Sequence, residues 1–121
     1  MRGPVDIANA EHYRWGDGCD GWHLLREADL SVIEERMPEA TSEARHRHAR
    51  ARQFFRVLAG RLRIEVGGRV HALEPGQGLH IAPGLAHQVH NDGPGAARFL
   101  VVSTPPSHGD RIAAPPEGND G

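Results

Sequence analysis

Strict alternation constrains this chain more than any other feature. Arg61-Leu62-Arg63-Ile64-Glu65-Val66 exchanges polar and apolar side chains, Gly67-Gly68 follows, and Arg69-Val70-His71-Ala72-Leu73 resumes the run. Successive side chains on a strand point to opposite faces, so a two-residue period describes a strand with one buried face. Two glycines between two such runs predict a hairpin, because glycine reaches the positive φ that tight hairpin turns require.

The same pattern extends along the sequence. Residues 22–25, 30–37, 44–48, 53–58, 79–81, 87–90 and 97–103 read as further short strands, separated by turn-forming clusters such as Glu74-Pro75-Gly76-Gln77-Gly78 and Ala82-Pro83-Gly84. One stretch departs from this reading. Asn9 as a cap with Glu11 in the first turn predicts a short N-terminal helical turn ending by Trp15. Many short strands at regular spacing, without helical periodicity elsewhere, predict an all-β sandwich or barrel. No internal repeat or composition break divides the chain, so residues 1–111 are expected to form one domain. Residues 112–121, rich in Pro and Gly, are expected to be a disordered tail.

Composition excludes several function classes. With 14 basic and 16 acidic residues, the net charge of −2 gives no electrostatic footprint for nucleic acid or an anionic membrane. No apolar run approaches the ~20 residues of a membrane span, and residues 1–6 lack the hydrophobic stretch of a secretory signal. Cys19 is the only cysteine, so no internal disulfide forms and a cytoplasmic location is expected. Every basic residue is arginine, which excludes Schiff-base chemistry on a lysine and a lysine phosphate anchor.

The chemistry is concentrated in histidine. His46 and His48 are two positions apart on an expected strand, so both rings project to one side with Cα atoms ~6–7 Å apart. Two imidazoles so placed can converge on one ion at ~2.0–2.1 Å. Gln53 follows His48 at an odd offset. It can face the same way only if residues 49–52 bend and a new strand begins.

The run His46-Arg47-His48-Ala49-Arg50-Ala51-Arg52-Gln53, closed by Gly60, resembles the first motif of the cupin superfamily. Pro75-Gly76-Gln77-Gly78-Leu79-His80-Ile81-Ala82-Pro83-Gly84-Leu85-Ala86-His87, followed by Asn91, resembles the second. The two motifs and the short gap between them resemble small single-domain bacterial cupins across residues 30–103. The resemblance implies a double-stranded β-helix, a jelly-roll barrel with a metal inside one mouth. It also implies that His46, His48 and His87 are ligands and that Gln53 holds the place usually occupied by glutamate. Gln77, after Gly76, likewise replaces an aspartate of the pattern.

Gln53 changes the charge balance of such a site. Three imidazoles and an amide oxygen leave a divalent ion with its full +2 charge, which weakens binding and strengthens Lewis acidity. Fe, Mn, Ni and Zn all suit this donor set. A small ligand with a carboxylate, diketone, enediol or phenolate would supply the missing negative charge. The expected function is therefore a metal-dependent isomerase, cyclase, dehydratase or dioxygenase, the alternative being a non-catalytic sugar- or metabolite-binding module. No catalytic proton-transfer residue stands out in the motifs. His80 and His90 are candidates on chemistry alone. Phe55 and Val57 share the parity of Gln53 and are expected inside, with Phe54 and Leu58 outside. The arginines at 45 and 47 are expected to be solvated and turned away from the metal, and His108 and Asp110 to be exposed. A small barrel with edge strands predicts a homodimer.

Overall fold

A computed structural model describes residues 3–116. Among these described residues, twelve strands form two antiparallel sheets. The first sheet has the order β1 (Glu11–Trp15), β2 (Cys19–Arg26), β3 (Ser31–Met37), β11 (Ala97–Thr104), β6 (Arg52–Ala59) and β9 (Gly78–Ile81). The second has the order β12 (Arg111–Ala113), β5 (His46–His48), β10 (His87–Asn91), β7 (Leu62–Val66) and β8 (Arg69–Leu73), with β4 (Thr41–Ser42) also paired to β10. The two sheets face each other as a jelly-roll barrel, the double-stranded β-helix expected from the sequence. No helix among the described residues is long and apolar enough to cross a membrane.

Alternation determines what lies between the sheets. On β6, Gln53, Phe55 and Val57 are buried, while Phe54 and Leu58 are 44% and 41% exposed. On β11, Ala97, Phe99, Val101 and Ser103 face inward. Phe99, Met37, Ile64, Ile81, Val57 and Val89 are fully buried and form the core with Leu62, Leu73 and Cys19. Each such side chain contributes about 1.5–3 kcal/mol by leaving water. Gly60, at φ +75°, closes the turn after β6. A Cβ there would lie 2.5 Å from the Ala96 carbonyl oxygen, so the turn packs directly on the start of β11.

Two sequence expectations need correction. The helical turn expected between Asn9 and Trp15 is instead β1, whose register pairs Tyr13 with Gly21 and Trp15 with Cys19. Tyr13 and Trp15 alternate with exposed His12 and Arg14, so pairing with β2 places the two aromatics together on the inner side. A capping residue offers no comparable apolar contact. The tail expected from residue 112 onward overlaps β12, in which Arg111, Ile112 and Ala113 pair with His48, Arg47 and His46. The edge of β5 offers unpaired backbone groups that even a Pro-rich segment can satisfy. Residues 117–121, the remainder of that expected tail, lie outside the described residues.

Candidate metal centre

The three histidines meet at one end of the barrel. β5 supplies His46 and His48, and β10 supplies His87 directly opposite His46 in the register. Ring centroids are 4.8 Å apart for His46 and His48, 4.5 Å for His46 and His87, and 5.6 Å for His48 and His87. One ligand nitrogen from each lies within 4.8 Å of the others, so the three could hold a metal ion.

Backbone carbonyls orient all three rings. Nδ1 of His46 lies 2.9 Å from the Ala44 oxygen, Nδ1 of His48 3.1 Å from that of Asp110, and Nδ1 of His87 3.0 Å from that of Leu85. A carbonyl only accepts, so each Nδ1 carries the proton and each Nε2 keeps its lone pair. Burial, the main cause, pushes the His46 imidazole down to about 3 and lowers His48 and His87 as well. All three are therefore neutral at neutral pH, the state that binds a metal.

The bend required between His48 and Gln53 is present, and a distant residue holds it. The Asp110 carboxylate accepts from the backbone N–H groups of Ala49, Arg50 and Ala51 at 3.0, 2.9 and 2.8 Å. Those donors hold the Asp110 carboxyl below the usual carboxylate range. After the bend, Gln53 enters the barrel 5% exposed, and its Nε2 donates to Ser103 Oγ at 3.0 Å. Gln53 Oε1, His48 Nε2 and His87 Nε2 are buried without a protein partner among the described residues. About 90% or more of buried polar groups are paired in native proteins, so orphaned acceptors on three residues that lie this close together point to a ligand. Nitrogen and oxygen lone pairs of this kind are the donor set of a transition-metal site, and the residues fit such an ion.

The cavity around them measures about 260 Å³ and includes groups that the motifs do not contain. Glu35 on β3 and Glu43 before β5 line it, with Tyr13, Trp15, Ile33, Phe55 and Val101. Burial, first among its causes, raises the Glu35 carboxyl to about 7 and the Glu43 carboxyl to about 8, and the Glu35 charge adds to the latter. Glu43 Oε2 also lies 3.8 Å from His46 Nδ1. The signal for Glu35 was legible. It shares the inward parity of Ile33 and Met37 on a strand whose other inward positions are uncharged. Arg111 gave no such signal, because it falls where the expected tail begins.

The C-terminal segment crosses the mouth. Ser107, His108, Gly109 and Arg111 line the cavity, and Arg111 pairs with His48 in the register; His108 is exposed at the mouth as expected, whereas Asp110 is half-buried and bound to the bend. His80 lies outside the cavity on β9, with Nε2 2.5 Å from Arg52 Nη1. His90 lies on the outer face of β10, over a surface groove that Arg45, Arg47 and Arg63 also line. Arg47 is exposed there as expected. Arg45 is not solvated: Nε and Nη2 donate to the Glu65 carboxylate at 2.6 and 3.0 Å.

The sequence profile of the cupin domain matches residues 32–103, well over half of the chain. The chain belongs to the cupin family. Solved structures agree with this cupin in fold. An RmlC-like cupin from Shewanella frigidimarina aligns at a TM-score of 0.79 with 17% identity, covering 88% of this chain and 93% of that one. The polyketide cyclase RemF from Streptomyces resistomycificus aligns at 0.76 with 20% identity, covering 88% and 81%. A sugar phosphate isomerase of the cupin superfamily from Silicibacter pomeroyi aligns at 0.73 with 24% identity, covering 84% and 75%. At these identities the likeness establishes the fold and not the chemistry. A search of curated proteins by sequence gives no match.

Proposed function

We propose that this cupin is a metal-dependent enzyme acting on a small anionic or enolisable organic molecule, with His46, His48, Gln53 and His87 holding a divalent transition ion such as Fe, Mn, Ni or Zn. The observation that carries the reading is a pair of orphaned buried acceptors on one cavity, His48 Nε2 and Gln53 Oε1, with the orphaned Nε2 of His87 grouped beside His46 and His48. A bound ion would supply Lewis acidity toward a ligand oxygen, undiminished because every protein donor is neutral. The rest of the cavity suits an anion. Arg111 contributes a fixed positive charge, and Glu35 and Glu43 can hold protons near neutrality rather than repel the ligand. Ile33, Phe55 and Val101 form apolar walls that exclude water from the reacting atoms. The small volume, just below the ~300–1,000 Å³ usual for ligand pockets, limits the substrate to a small molecule. Isomerisation, cyclisation and dehydration fit this set of groups, as does oxygen-dependent cleavage with a redox-active ion. Among structures of the same fold, one is a polyketide cyclase and another a sugar phosphate isomerase.

Metal analysis of protein purified without a histidine tag should find close to one equivalent of a first-row ion. Calorimetry on that protein should show malonate binding at least ~10-fold more tightly than malonamide, about 1.4 kcal/mol. Equal affinities would defeat the anionic-substrate reading, and tight binding without turnover of any enolisable compound would leave a binding module. The exposed Phe54 and Leu58 support a homodimer through the outer face of the first sheet, and a 13.2 kDa particle in light scattering would refute it. A buried free Cys19 supports a reducing, cytoplasmic setting.

A further inference from the structure

Tyr13, Gly21 and Glu35 form one row across three adjacent strands, since Gly21 pairs with Tyr13 on one side and with Glu35 on the other. Strands lie ~4.8 Å apart, so the outer two members of such a row are about 10 Å apart and do not normally touch. Here they do. Tyr13 Oη donates to Glu35 Oε2 at 3.0 Å. The contact exists because Gly21 has no side chain. A Cβ on Gly21 would lie 2.2 Å from Tyr13 Cζ and 2.5 Å from its hydroxyl oxygen. The tyrosine therefore lies across the middle strand, over the one residue type that leaves room for it.

This arrangement occupies only one oxygen of the carboxyl. Glu35 Oε1 has no hydrogen-bond partner among the described residues, and Glu35 and Tyr13 are both walls of the cavity that His46, His48 and Gln53 also line. We propose that Glu35 is the proton-transfer residue for an enolisable α-keto carboxylate bound in this cavity, and that Tyr13, admitted by Gly21, is the positioning residue that aims it. The assignment rests on the enzyme reading above and adds to it the substrate class and the base.

The step balances without an oxidant or a second reactant. The Glu35 carboxylate takes a proton from the carbon beside the ketone. The C–H electron pair becomes the carbon–carbon double bond, and the carbonyl π pair moves onto oxygen to give the enolate. Return of the proton from Glu35 to carbon regenerates the ketone. Arg111 supplies the countercharge for the substrate carboxylate. The groups facing Glu35 are Tyr13 from β1, Cys19 from β2, Glu43 from the loop before β5 and Arg111 from β12. His23 and His108 stack beyond the Tyr13 ring, at 4.9 Å from Tyr13 to His23 and 5.5 Å from His23 to His108. Burial keeps the carboxyl titrating at about 7, and the Tyr13 hydrogen bond acts against that rise.

Two measurements test the assignment. In the metal-free protein labelled with ¹³C at glutamate Cδ, the Glu35 and Glu43 resonances should titrate near neutrality, and the one that is missing in Glu35→Gln is that of Glu35. Its midpoint should move upward in Tyr13→Phe, because the donor that favours the ionised form is gone. Gly21→Ala should reproduce that move, and Tyr13→Phe covers the case in which Gly21→Ala does not fold. In D₂O, Zn²⁺-loaded protein should exchange the methyl protons of pyruvate. The rate should fall at least ~100-fold in Glu35→Gln, and the acid limb of its pH profile should move up in Tyr13→Phe. Exchange in Glu35→Gln at the wild-type rate overturns the proposal. So does a Glu35 midpoint at about 4, or no exchange by wild-type protein holding both metal and pyruvate. Protein that takes up no metal sinks the metal-enzyme reading instead, and the titration still decides the Tyr13–Glu35 pair.

Discussion

The two ends of this barrel are built on the same strands and follow opposite rules. On β6 the inward side chains run from Gln53 through Phe55 to Val57, and on β11 from Ser103 through Val101 to Phe99, each pair in register. At the Val57–Phe99 end, Met37, Ile64 and Ala97 complete a fully buried apolar plug. At the Gln53–Ser103 end, buried imidazoles, an amide and two carboxyls surround a cavity, and three acceptors lack partners. Only three residues of strand separate an end optimised for packing from one that carries uncompensated polar burial. Such burial is destabilising unless a ligand satisfies it. One end holds the protein together so that the other can remain unsatisfied.

Substitutions that affect one end and spare the other sharpen this contrast. The largest stability loss is expected for Phe99→Ala, about 3–5 kcal/mol in chemical denaturation, because the void lies in the close-packed plug. Should His87→Ala cost as much, the two ends would not differ as described. For His87→Ala the expected effect is instead on metal. Residues that merely orient ligands are worth ~10–100-fold in affinity, so removing a ligand should cost at least ~100-fold by competition with a chelator. Asp110→Ala comes next, at ~10–100-fold, since it frees the bend that delivers both His48 and Gln53. An unchanged affinity would show that β12 positions the site without that carboxylate.

Acidity gives a finer test. Glu35 is raised to about 7 by burial, so between its unfolded value near 4.5 and about 7 the folded protein binds the extra proton. Stability then falls as pH rises through that window, and the cost is complete above it. In Glu35→Gln that cost is absent. The variant should gain about 1–3 kcal/mol on wild type between pH 5 and pH 8, read from urea midpoints. A constant difference between the two proteins across that range would mean that the carboxyl is not buried as described. The smallest effect is expected for Gln53→Glu. A charged oxygen in place of the amide should tighten metal binding by about 1 kcal/mol or somewhat more, and should reduce the preference for anionic ligands. Weaker metal binding in this variant would argue that Gln53 serves Ser103 and not an ion.

Much of the fold was legible because a two-residue period has few physical solutions. The hairpin at Gly67-Gly68, the buried Phe55 and Val57 and the outward Phe54 and Leu58 follow from spacing, the bend before Gln53 follows from the family resemblance, and the coordinates agree. The helical turn at Asn9 was misread because a capping preference is weak and a neighbouring strand with an empty edge is strong. The limit of residues 1–111 for the domain was drawn from composition, which does not register that β5 had an open edge for Arg111, Ile112 and Ala113 to pair with.

From sequence alone came the barrel and the histidines pointing into it, because alternation and motif spacing are local properties that survive without knowledge of neighbours. Only the tertiary structure revealed the Asp110 clamp 60 residues from the bend it holds, the Arg111 charge beside His48, and Tyr13 reaching Glu35 over a glycine. Each of these depends on which strands are adjacent. Adjacency is decided by how the whole chain buries its apolar surface, not by any run of residues within it.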